Sequence, residues 1–168
     1  MYRIKYSKLK VVGAIRKMAK TLKEEYVVND DTVFLVMLSG GVWFAAHLFD
    51  ALGDISNEVY YIKGHSYASQ SREQFVWDYI PDIDLQGRDV VVIDDICDSG
   101  ETIKAAYEKL SPVAKSITAV TLLGRVPNTL PQEIKLYACI NDDSTQFFVG
   151  CGLDDNGHGR LLRHIGIC

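Results

Sequence analysis

The chain has 168 residues, 48% of them hydrophobic and 24% charged, enough for one compact domain with a core of its own. Its 18 basic and 22 acidic residues leave a net charge of −4 without a basic block, which argues against sequence-independent nucleic-acid binding and for a small-molecule partner. No apolar run approaches the roughly 20 residues of a spanning helix, and MYRIKYSKLK lacks the apolar centre of a signal peptide, so a soluble, cytoplasmic protein with no membrane partner is expected.

In chain order, Leu9, Val12, Ile15, Ala19, Leu22 and Tyr26 recur at three- and four-residue steps and predict an amphipathic helix over Leu9 to Tyr26. Thr32 to Leu38 is a continuous apolar run, expected for a strand buried on both faces. Ser39-Gly40-Gly41 ends it, and Val42 to Leu52 reads as a helix closed by Gly53. Glu58 to Ile62 and Arg88 to Asp94 are further strands, Glu101 to Leu110 a helix, and Lys115 to Leu123 a β-branched strand. This alternation predicts an α/β fold with a doubly wound, mainly parallel sheet of about five strands flanked by helices.

Two regions break the rhythm. Tyr67 to Asp84 mixes polar residues with Phe75, Trp77 and Tyr79 and is expected to be a loop, partly mobile and partly packed down by those rings. After Leu123 come Pro127, Pro131, a short apolar stretch Ile134 to Ile140, then Gln146 to Leu153 and a Gly- and Asp-rich tail with the composition of a site. Cys97, Cys139, Cys151 and Cys168 lack zinc or disulfide spacing and read as reduced apolar fillers.

The richest segment is Val90 to Thr102, VVVIDDICDSGET. A buried strand delivers Asp94 and Asp95 to the carboxyl edge of a parallel sheet, where ligands bind. Asp98-Ser99-Gly100 then turns into a helix whose first amides, with the hydroxyls of Ser99 and Thr102, suit a phosphate monoester. Adjacent carboxylates would repel phosphate, so ribose hydroxyls and magnesium are their natural partners. Asp98 and Glu101 also have the spacing of a capping box, which leaves open that Asp98 only caps the helix.

This stretch resembles the signature of type I phosphoribosyltransferases, which bind phosphoribosyl pyrophosphate (PRPP), and segments from about Val33 to Gly166 are most similar to the hypoxanthine-guanine branch. The resemblance implies a single phosphoribosyltransferase domain over residues 1–168 with a small base-binding C-terminal hood at about 125–168. It implies a purine-salvage enzyme that joins a 6-oxopurine to the 5-phosphoribosyl group of PRPP, giving a nucleoside monophosphate and pyrophosphate with Mg2+ as cofactor. Asp94, Asp95, Asp98, Ser99, Gly100, Glu101 and Thr102 would bind PRPP, with Asp98 catalytic. Ser39, Gly40 and Arg160 would hold pyrophosphate; Leu122-Leu123-Gly124-Arg125 and Phe147 to Asp154 would supply Arg125, Phe147, Phe148 and Asp154 to the base. Asp154, Asp94 and Asp95 would serve magnesium, partly through water or ribose. Ser66-Tyr67 resembles the opening of the family's mobile loop, and family members form dimers or tetramers. Ser39 and Arg125 each stand where Lys is usual, and Cys151 stands for Tyr. Xanthine or another base, and a PRPP- or nucleotide-sensing regulator without turnover, are the alternative readings.

Overall fold

The computed structural model describes residues 2–25, 27–68, 73–125 and 130–168, so Tyr26 and Pro127 lie outside it. Its elements are β1 (Arg3–Tyr6), α1 (Lys8–Glu24), β2 (Thr32–Leu38), α2 (Gly41–Leu52), β3 (Glu58–Ala68), β4 (Glu73–Tyr79), β5 (Asp89–Cys97), α3 (Glu101–Leu110), β6 (Ser116–Gly124), β7 (Lys135–Asn141), β8 (Phe148–Val149) and β9 (Ile165–Ile167). Six strands form one sheet in the order β4-β3-β2-β5-β6-β7, and β1-β9-β8 form a second, antiparallel one. The four strands expected by position are present and parallel, the apolar stretch at 134–140 forms a fifth parallel strand, β7, and β4 adds a sixth, antiparallel, at the edge.

Alternation along the central strands sorts the core into two layers. Phe34 and Val36 of β2, with Val91 and Ile93 of β5, face α1 and α2, where Ile15, Leu22, Phe44 and Leu48 meet them. Val33, Leu35, Val90 and Val92 point the other way, onto Ile103, Ala106 and Leu110 of α3. An uninterrupted apolar run is therefore required in β2 and β5, because neither face meets water. Truncating one such side chain, as in Phe34→Ala, should cost about 3–5 kcal/mol.

α1 is rotated from the expected helix. Ser7 caps it, accepting from the Lys10 amide at 3.4 Å, and the buried stripe is Val11, Ile15, Met18, Ala19 and Leu22. Leu9, expected on the apolar face, is 85% exposed. The predicted loop from Tyr67 onward is corrected to strand: β3 continues through Ser66 and Tyr67 to Ala68 and pairs with β4. Phe75 and Trp77 turn inward and contact edge to face at 4.7 Å, while Tyr79 is 54% exposed and holds nothing down. Since β3 leaves β2 after Lys63, Gly64 to Ala68 extend past the carboxyl edge of the parallel sheet.

Candidate active site

The chain order of the parallel strands reverses between β2 and β5, which opens a crevice at their carboxyl ends. The two strand ends meet there closely. Gly40 abuts the Asp95 carboxylate, so a Cβ at that position would overlap it, and Gly41 starts α2 flush against the Ile93 carbonyl. From the tail, Gly152, at φ 106, packs its Cα against the Gly40 carbonyl. The Leu38–Ser39 peptide is cis, and Ser39 is exposed beside this contact.

Asp94 is 9% exposed, and its Oδ1 accepts the Asp95 amide at 2.8 Å. Burial and then repulsion from Asp95 push its carboxyl well above the usual carboxylate range. Asp95 is also raised, by burial, with its backbone bonds and the charge of Arg160 opposing the shift. No ion pair with a protein cation compensates either carboxylate among the described residues.

Asp98, Ser99 and Gly100 turn the chain into α3. Gly100, in the left-handed region at φ 84, is the N-cap, with no side-chain cap bond. Asp98 is therefore not the helix cap; instead its Oδ1 accepts Nη1 of Arg125 at 2.8 Å. Ser99 Oγ accepts the Glu101 amide at 3.4 Å, and Glu101 and Thr102 lie half-buried in the first turn.

Arg125 follows β6, its amide bound to the Cys97 carbonyl at 2.9 Å. Nη2 donates to the Gln146 carbonyl, the guanidinium lies 5.1 Å over the Phe148 ring, and Nε is buried with no acceptor among the described residues. Three contacts from one planar group are beyond a lysine. The Phe148 ring is buried beneath the guanidinium, while Phe147 presents a 55% exposed ring. With Asp95, Ile96, Asp98, Thr145, Gln146, Leu153 and Asp154 these residues line a cleft of ≈ 270 Å³.

At its far end Asp154 pairs with Arg160 at 2.7 Å and accepts the Gly157 amide at 2.6 Å, and Arg160 Nη1 donates to the Gly152 carbonyl at 2.6 Å. Ser66 lies on the β3 extension, paired in register with Phe75 and outside the cleft lining. Gln146, whose carbonyl fixes Arg125, went unnoticed in the sequence, because a main-chain acceptor leaves no residue signature. Cys97 is buried, and burial pushes its thiol up to about 11, so it carries little thiolate at neutral pH.

Residues 6–156 match the phosphoribosyl transferase domain family. The chain belongs to that family. A hypoxanthine-guanine phosphoribosyltransferase of Mycobacterium tuberculosis is 30% identical over 141 residues, 82% of this chain and 69% of the relative. One from Lactococcus lactis is 29% identical over 163 residues, 96% and 87% of the two chains. A crystal structure of a hypoxanthine phosphoribosyltransferase from Staphylococcus aureus superimposes with TM-score 0.85 at 20% identity, covering 98% of this chain and 90% of that one, and so shares the phosphoribosyltransferase fold.

Among the described residues no helix is long and apolar enough to cross a membrane. No group of three His, Cys, Asp or Glu there forms a metal cage either. Phosphoribosyltransferases generally use magnesium together with PRPP, and adjacent carboxylates, one buried and one half-buried, without a paired cation fit a hard cation that draws its remaining oxygens from such a substrate.

Proposed function

We propose that this protein transfers the 5-phosphoribosyl group of PRPP to N9 of a 6-oxopurine, hypoxanthine or guanine, in purine salvage. The observation that carries the reading is the Asp98–Arg125 pair in the wall of a cleft that the exposed Phe147 ring also lines. A 6-oxopurine offers an acceptor at O6 and a proton at N7, so it can take Arg125 by one edge position and Asp98 by the next. A 6-aminopurine would set a donor against the guanidinium. Phe147 supplies a stacking face.

PRPP would lie across the turn from Asp94 to Thr102. Asp94 and Asp95 accept the ribose hydroxyls and fix the ring; the Ser99 to Thr102 amides and hydroxyls hold the 5-phosphate at the start of α3. Gly40 and Ser39, with Arg160, face the pyrophosphate. N9 attacks C1, the bond from C1 to pyrophosphate oxygen breaks with inversion, and the electron pair leaves on pyrophosphate while Asp98 takes the purine proton through N7. Magnesium, held by Asp94, Asp95 and Asp154 partly through water or ribose, would neutralise charge on the departing pyrophosphate. Arg160 adds a cation at that end, held in place by Asp154 and the Gly152 carbonyl.

The reading includes a cytoplasmic dimer or tetramer, to which four free thiols are suited. Incubation with PRPP, magnesium and labelled hypoxanthine, guanine, xanthine and adenine in competition tests it. Nucleotide and pyrophosphate should form from hypoxanthine or guanine. Preference for xanthine would reassign the base, and PRPP binding without pyrophosphate release from any purine would make the protein a sensor.

A further inference from the structure

The first strand reaches across the molecule to the base cleft. Tyr6 donates its hydroxyl to Asp142 Oδ2 at 2.6 Å, and Lys5 Nζ lies 3.4 Å from the same oxygen and donates to Gln146 Oε1 at 2.8 Å. Asp142 Oδ1 accepts the Ser144 amide at 2.9 Å, and the Asp142 side chain is only 8% exposed. The segment from Asp142 to Gln146 is thereby hung on β1 at both ends. It contributes Thr145 and Gln146 to the cleft wall, its Gln146 carbonyl holds Arg125, and it runs directly into Phe147. Burial alone would raise the Asp142 carboxyl, but its bonds from Ser144, Tyr6 and Lys5 outweigh this and hold it below the usual range.

We propose that Tyr6 and Lys5 are positioning residues for base recognition, acting through Asp142 and Gln146 to set the guanidinium of Arg125 and the ring of Phe147. The proposal rests on the purine reading above for its substrate, but the brace itself does not. A segment of irregular backbone has no ladder to hold it, so removing one of its few anchors lets the Gln146 carbonyl wander while β8 stays paired to β9. The consequence falls on the base and spares PRPP, whose turn on β5 and α3 touches neither Tyr6 nor Lys5.

Two measurements on the full chain decide it. In the ligand-free protein, Tyr6→Phe should raise amide exchange across residues 142–147 about tenfold. Tyr137→Phe, which deletes a comparable 2.5 Å tyrosine–carboxylate bond to Glu25 away from the cleft, should leave that segment unchanged. In steady state, Tyr6→Phe and Lys5→Ala should raise KM for the base about tenfold with KM for PRPP within about twofold, and Lys5→Arg should restore it. Unchanged exchange at 142–147 overturns the brace whatever the substrate. Raised exchange with an unchanged base KM, or equal effects on base and PRPP, overturns the positioning role. If the unaltered protein consumes no purine, the substrate reading falls, and the exchange arm alone decides the brace.

Discussion

The two ends of β5 carry acids in opposite circumstances. At the amino end, Asp89 is saturated: Ser116 Oγ donates at 2.6 Å, Lys115 Nζ at 2.9 Å and Asn29 Nδ2 at 3.2 Å. Burial would raise its carboxyl, and those bonds more than offset the effect and lower it. At the carboxyl end, Asp94 is buried and Asp95 half-buried beside it, neither has an ion pair among the described residues, and both are raised. Asp89, with three donors of its own chain on its two oxygens and none of the cleft residues among them, serves the fold. Asp94 and Asp95 receive amide bonds but no ion pair, so their shared charge costs stability, and on the proposed reading PRPP and magnesium relieve that cost.

The largest effect should come from the carboxyl end. Asp98→Asn keeps the shape and an acceptor for Arg125 but removes the proton-transfer group, and kcat should fall by about 10²–10⁴ with the melting temperature little changed. Because Gly100 caps α3, loss of a helix cap cannot account for such a fall. Purine turnover within a few-fold of the unaltered protein would remove Asp98 from the chemistry.

Asp94→Asn sharpens the contrast, since one substitution should move stability and activity in opposite directions. Without PRPP and magnesium the variant should melt higher, by about 2–4 °C for each kcal/mol of relieved burial. PRPP turnover should meanwhile drop about 10²-fold as the ribose loses its anchor. A variant that melts lower, or that keeps full turnover, contradicts the view of a strand end held ready for ligand.

Arg125→Lys comes next. Lysine retains the charge that pairs with Asp98 but loses the bond to the Gln146 carbonyl and the stack on Phe148. KM for the base should rise about tenfold, with PRPP unaffected. Equal losses for base and PRPP would place Arg125 in the scaffold.

The sequence made much of this legible, for identifiable reasons. The run Val90 to Ile93 is buried on both faces, and a strand so buried shows itself as unbroken hydrophobicity. β4 hid because its outward residues include Val76 and its inward ones are aromatic, so no clean alternation separates Phe75 and Trp77 from their neighbours. In α1, positions 9, 12, 15, 19, 22 and 11, 15, 18, 22 are both helical series. Only the position of the sheet chooses the one containing Val11 and Met18. At the site, Asp94, Asp95 and Asp98 stood out as side-chain chemistry, whereas Arg125 and Phe147 came only through the family resemblance. The carbonyls of Gln146 and Gly152 did not stand out, and the bond from Lys5 to Gln146 spans 141 residues that no local pattern connects.

The smallest effect on activity belongs to the amino end and closes the comparison through pH. Asp89→Asn should leave kcat and both KM values within about twofold and cost about 1–3 kcal/mol of stability, because the charge-assisted bonds to Lys115, Ser116 and Asn29 weaken together. Since the folded carboxyl lies below its unfolded value, Asp89 contributes fully above about pH 4, and that contribution is lost as pH falls through the folded pKa. The gap between the unaltered protein and Asp89→Asn should therefore close on acidification. Asp94, raised, has the other sign: its ionised form is the costly one, so the advantage of Asp94→Asn is greatest at neutral pH and shrinks as the carboxyl protonates. Denaturant unfolding of both variants across a pH series reads both trends. On acidification Asp89→Asn should gain on the unaltered protein while Asp94→Asn loses its lead, and movement of both in the same direction would dissolve the distinction between the two ends of β5.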